Sequence, residues 1–143
     1  MTTTFYGLMD PDTAVAGSHP AVTLTDALDE TVYQQIYFPT LMATLNSVKV
    51  FVVPAASGDM SCGCVSNWGR VCAGALANEG VGTIVQHIET LDIDEIECID
   101  ITAAFTGVLA GSIGGLAFTR YGTAAADTVN ANCFYLGIEV NYS

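Results

Sequence analysis

Three cysteines, Cys62, Cys64 and Cys72, fall close together around the only tryptophan, Trp68. Thiolates this near in sequence are what a structural zinc site uses, but such a site wants four ligands, usually as two short pairs. The second short pair is missing, and His19 and His87 lie far off in the chain. With Cys98 and Cys133 the cysteines number five, so they cannot all pair within one chain. They read first as reduced cysteines buried as small apolar side chains. A disulfide or a metal is the weaker reading, and no metal or cofactor is expected.

His87 and Glu89 stand two apart, which puts them on one face of a strand. A histidine beside a carboxylate is a general-base arrangement, but the pair also arises by chance. Asp92, Asp94, Glu95 and Glu97 invite a calcium reading. A calcium loop of the EF-hand type needs a longer ordered pattern with a central glycine and a final glutamate. That pattern is absent, and a solvated acidic strand face is expected instead. Trp68 and the tyrosines could stack on sugars, though core packing explains one tryptophan equally well. No nucleophile elbow, zinc-protease motif or phosphate loop is present: "GSIGG" at 111–115 has no lysine after it. No enzymatic activity is expected.

Arg120 and Asp127 form the remaining constellation. Arg120 ends one strand pattern and Asp127 precedes the next. An ion pair between them would staple the connection, leaving the Thr128 hydroxyl to bond the turn backbone.

These residues sit on a chain that reads as β-structure. In "TVYQQIYFP", Val32, Ile36 and Phe38 share one face with Gln34, while Tyr33, Gln35 and Tyr37 share the other. Pro39 ends that run. Val48, Val50 and Val52 alternate with Lys49, and Pro54 ends that run. Trp68 is expected to anchor one end of the core; Cys64, Cys72, Leu76 and Arg70 share its parity. Ile84, Ile88 and Leu91 have helical spacing, whereas Ile93, Ile96 and Cys98 are interleaved with acids, so this segment is ambiguous. Residues 101–118 are uncharged but rich in glycine, and read as two strand pieces joined by a turn rather than as a membrane helix. Leu116, Phe118 and Arg120 face one way; Ala117, Thr119 and Tyr121 face the other. In the last run, Phe134, Leu136, Ile138, Val140 and Tyr142 alternate with Cys133, Tyr135, Gly137, Glu139 and Asn141. This run is expected to complete a sheet, which would explain why the chain stops there.

The expectation is an all-β domain: a two-sheet antiparallel sandwich of about seven or eight strands, a jelly roll or a relative, with an immunoglobulin-like order equally compatible. Residues 1–25, with Pro11, Gly17 and Pro20, read as a loosely structured N-terminal arm with a first strand expected near 21–24; residues 26–143 are expected to form the sandwich. No basic segment precedes an apolar stretch at the N-terminus, so no secretion signal is expected.

The chain has 143 residues, 51% of them hydrophobic, which is enough for one real core and excludes disorder. Fifteen acids face only Lys49, Arg70 and Arg120, for a net charge of -12. Nucleic-acid and anionic-membrane partners are therefore not expected, because phosphate binding needs clustered basic residues. With charged residues at only 13%, much of the surface must be neutral or covered.

The segments "DETVYQQIYFP", "NSVKVFVVPA", "WGRVCAGALANEG" and "GGLAFTRYGTAAADTVNANCFYLGIEVNY" together resemble structural proteins of tailed phages. The match is densest at Phe118, Arg120, Ala125, Ala126, Asp127, Thr128, Leu136, Gly137 and Tyr142, and spans residues 26–142. The sequence differs from the pattern in its cysteine-rich middle and its shorter third strand. The resemblance implies a jelly-roll capsid decoration, or cement, protein on the virion exterior. Its implied partners are the major capsid protein and copies of itself, often as a trimer. A fibre, tail or receptor-binding module recognising host glycans is the alternative it implies.

Overall fold

A computed structural model describes residues 1–7, 15–72, 74 and 76–143. The chain is a β-sandwich. In order, the strands are β1 (Thr2–Gly7), β2 (Val15–Ala16), β3 (His19–Pro20), β4 (Val22–Leu24), β5 (Asp29–Tyr37), β6 (Leu45–Pro54), β7 (Gly58–Arg70) and β8 (Gly80–Leu91). Then follow β9 (Glu97–Asp100), a 3-10 turn at Thr102–Phe105, β10 (Ser112–Tyr121) and β11 (Cys133–Tyr142). One sheet has the order β1-β11-β6-β9, with β4 also paired to β11; the other has the order β5-β10-β7-β8. All their pairings are antiparallel. From β4 onward every connection except β7–β8 passes from one sheet to the other.

Alternation explains most of this. Val32, Ile36 and Phe38 from β5 and its extension meet Val48, Val50 and Val52 from β6 in one core. Trp68 is buried at one end of it, against the Phe105 ring at a centroid distance of 6.1 Å, and Phe105 in turn packs on Phe38 at 5.4 Å. The 3-10 turn thus plugs one end of the sandwich. The Ser66 hydroxyl donates to the Ala104 carbonyl there.

Several expectations are corrected. The strand expected near 21–24 is present as Val22–Leu24, paired with β11; what was not expected is that Thr2–Gly7 pairs with β11 as well. The short alternating pattern of Thr2–Gly7 is legible only beside the partner strand. The β2–β3 hairpin carries Ala16 over a second apolar cluster with Ala21, Val53 and Leu136 on the outer side of that sheet. Residues 8–14, including Pro11, lie outside the described residues. The ambiguous segment is strand, with a register shift opposite Gly63. The extra residue there lets Ile84 and Leu91, seven apart, both reach the core, while Ile88, opposite Ser61, is exposed on the other face, so the helical spacing of the three is not a shared face. Its acids do not form a strand face either, because Asp92, Asp94 and Glu95 sit in the turn before β9. Residues 101–118 hold the 3-10 turn, a loop and most of β10, not two strand pieces. Among the described residues no helix is long and apolar enough to cross a membrane.

The clean alternation of β11 conceals a bulge. Cys133 and Tyr135 face the main core; the register slips between Tyr135 and Gly137; Ile138 and Val140 then face the same core. Leu136 therefore joins the outer cluster rather than the face shared with Ile138. Gly137 is what permits the slip. Its φ is +149°, and a Cβ there would sit 2.6 Å from the Tyr6 carbonyl oxygen.

Candidate functional site

Arg120 points inward from β10, opposite Cys62 in β7 and Glu30 in β5, and its side chain is 0% exposed. The 122–132 connection folds back over it. Its Nε donates to Asp127 Oδ2 at 3.0 Å and its Nη2 to Asp127 Oδ1 at 2.8 Å. Nη2 also donates to the Val129 carbonyl at 2.6 Å; Nη1 donates to the carbonyls of Ala131 at 2.8 Å and Leu24 at 3.1 Å. Those bonds use every donor a guanidinium has. Asp127 is equally enclosed, its side chain 2% exposed, and its Oδ2 accepts the Ser61 N–H at 3.2 Å. Burial alone would lower the Arg120 pKa, but the bonds to Asp127 and the nearby negative groups outweigh it and raise the value.

The Arg120–Asp127 pair expected from sequence is thus present, and it ties more than its own loop. Leu24 belongs to β4 in one sheet, while Ser61 belongs to β7 in the other. Thr128 does not bond the turn backbone. Its hydroxyl accepts the Asp59 N–H at 2.9 Å, while its own N–H donates to the Asp59 carbonyl at 2.7 Å. The backbone of Thr128 also passes so close to Gly58 that a Cβ there would lie 2.8 Å from its carbonyl oxygen. Every group in this clamp is spent on the fold.

The other candidates are dispersed or unsuited to chemistry. His87 Nε2 lies 3.0 Å from Glu89 Oε1 and 3.6 Å from Cys62 Sγ. A base that activates a thiol faces it with one nitrogen and its orienting carboxylate with the other. Here one nitrogen faces both. Cys62 is fully buried, and burial pushes its thiol up to about 12, so little thiolate forms near neutrality. Burial likewise raises Cys64 and Cys133 to about 11. All five cysteines are free, but only these three are buried; Cys72 and Cys98 are exposed. Cys72 and Leu76 follow the end of β7, and the side chain of Arg70, the last residue of that strand, is exposed and pairs with Glu79 at 2.6 Å, so none of the three extends the buried Trp68 face. Carboxylate oxygens of Asp92, Glu95 and Glu97 lie within 4.8 Å of one another. The cluster is largely exposed, and Glu97 already accepts the Asp92 N–H at 3.0 Å.

Sequence reasoning missed two features. Gln34, the polar residue on the inner face of β5, bridges the sheets: it donates to the carbonyls of Tyr6 and Gly7 and accepts the Tyr135 hydroxyl at 2.9 Å. A lone glutamine on an apolar face was the available signal. The second is the outer face of the four-stranded sheet. Tyr33 is 80% exposed, and Tyr37, Val65, Val81, Val85, Ile88 and Ile113 are exposed with it. Gly115 lies between Gln35 and Asn67, and Ala117 between Tyr33 and Val65. These small residues make β10 the floor of a groove of about 820 Å³ between two ridges. Between Thr31 and Tyr37 on β5 and Ile113 and Thr119 on β10 no charged side chain stands on this face; Arg70, paired with Glu79, lines one end of the groove, and Asp29 on β5 and Asp59 on β7 stand at the far end of the sheet. Among the described residues neither Gln35 nor Asn67 makes a side-chain hydrogen bond.

Compared with known proteins, the chain matches no family model and no curated protein at a significant level.

Proposed function

We propose that this chain is a non-catalytic structural protein of a virion, a capsid decoration module that works by docking. The observation that carries the reading is the uncharged middle of the outer face of the four-stranded sheet, with acids only at its far end. A soluble chain of net charge -12 would be expected to spread its acids over any face meant for water, yet this one presents Tyr33, Val65, Val81 and Ile113 instead. Large exposed apolar surfaces of this kind mark sites of association. The phage resemblance supplies the setting, and the strand order, with its repeated crossing between sheets, supports a jelly-roll reading of the sandwich. The mechanism is mechanical: bound copies stabilise the assembled shell by mass action. The acids left on the remaining surface keep particles apart in solution.

A second reading, a receptor-binding module, is favoured by one feature of the same face. The free amides of Gln35 and Asn67 flank the Gly115 floor beside the Tyr33 ring, an arrangement that suits a neutral sugar. Mass spectrometry of purified particles separates these from a role outside the virion. The chain should be found in them, and its absence would overturn both readings.

A further inference from the structure

We propose that the outer face of the β5-β10-β7-β8 sheet is where copies of this chain meet one another. The inference rests on the docking role given to that face and names its occupant. Two molecules that each carry a net charge of -12 repel, and they can approach closely only through a surface that adds no like charges. The rows from Thr31 to Tyr37 on β5 and from Ile113 to Thr119 on β10 meet that condition. So do Val65 and Asn67 on β7 and Val81 and Thr83 on β8. A shell protein of unknown charge sets no such requirement, whereas a second copy does.

Shape agrees. A ridge bearing Tyr33 and Tyr37 runs beside a trough floored by Gly115 and Ala117, so one copy's ridge can enter the other's trough. Four strands about 4.8 Å apart, over the length of β10 from Ile113 to Thr119, give a footprint of about 440 Å² per copy. Val85 and Ile88 on β8 and Leu76 beyond β7 extend it. Two copies then bury about 1,000 Å² in total, the lower end for a specific interface. Association should therefore be moderate and depend on concentration.

Sedimentation equilibrium of the purified chain between about 1 and 200 µM tests this, since micromolar dissociation falls in that range. An oligomer is expected, and it should tighten as salt rises, because salt screens the repulsion between the acidic bodies without weakening a charge-free contact. Ala117→Arg fills the trough and should weaken association about tenfold or more, as should Val81→Lys on the neighbouring ridge. Both side chains point away from the core, so thermal unfolding should remain cooperative in each. Asn130→Arg, an equal charge change on the exposed β10–β11 connection, should leave association unchanged. A monomer throughout the range would overturn the inference. So would an oligomer that both variants leave intact, or one that loosens as salt rises. A monomer that binds neutral oligosaccharides, with binding lost in Ala117→Arg, would assign the trough to sugar instead. Failure here leaves the virion reading standing if the chain is still found in particles.

Discussion

A fully buried arginine is tolerable only when its charge is matched and its donors are all used. Arg120 meets both conditions, but it does so through the Asp127 carboxylate, a second, more distant carboxylate of Asp26 at 3.7 Å, and three carbonyls drawn from different segments. Removing the carboxylate should therefore be severe. Asp127→Ala leaves a buried guanidinium half-satisfied and should cost about 3–5 kcal/mol in urea unfolding. Arg120→Ala should be comparable, because the Leu24, Val129 and Ala131 carbonyls lose their donors. The double variant should cost much less than the sum of the two, since each change removes the other's partner. Additive costs would contradict the clamp. The three buried thiols give a second prediction, on pH. Their folded pKa values lie above the unfolded value near 9, so the native state holds its thiol protons to higher pH than the unfolded chain does. Stability is then unaffected below about pH 8 and falls as pH rises from about 9 toward 12. Chemical denaturation across that window should show the decline. It should shrink when Cys64, which lacks charged neighbours among its perturbing groups, is replaced by Ala.

At the scale of elements, β11 does the most connecting work, pairing with β1, β4 and β6. Its bulge at Gly137 lets residues on both sides of the slip reach one core. Gly137→Ala should lower stability by about 1–3 kcal/mol, because the new Cβ meets the Tyr6 carbonyl and the backbone leaves the range open to alanine. An unchanged denaturation midpoint would mean that β1 moves aside at no cost. The same strand shows why the sequence was only partly readable. Its alternation identified a strand, and the sandwich followed from several such runs. A bulge, however, reverses the inward parity without disturbing the apolar pattern, because Leu136 finds a second cluster outside the sheet. In β8 the bulge keeps Ile84 and Leu91 on the core side, and Ile88 on the outer side falls between them, so a strand looks helical. Edge strands such as Thr2–Gly7 carry too little pattern to be read alone. The clamp was readable as a pair, from one arginine and one aspartate close in the chain. Its carbonyl partners were not, because carbonyls leave no mark in a sequence.

For the whole molecule, the charge distribution counts for more than the total. A net charge of -12 argues against nucleic acid and anionic lipid as partners, but it says nothing of where the acids stand. Folding keeps them to the far end of one sheet face, at Asp29 and Asp59, and places Tyr33, Val65, Val81 and Ile113 over the rest. That separation is the basis for reading the chain as a module that assembles rather than one that catalyses. The most direct measurement is the number of copies per purified particle, counted by quantitative mass spectrometry against the major shell protein. A capsid decoration protein should be present at a copy number of the same order as the shell protein. Absence from particles, or only a handful of copies in each, would contradict that account.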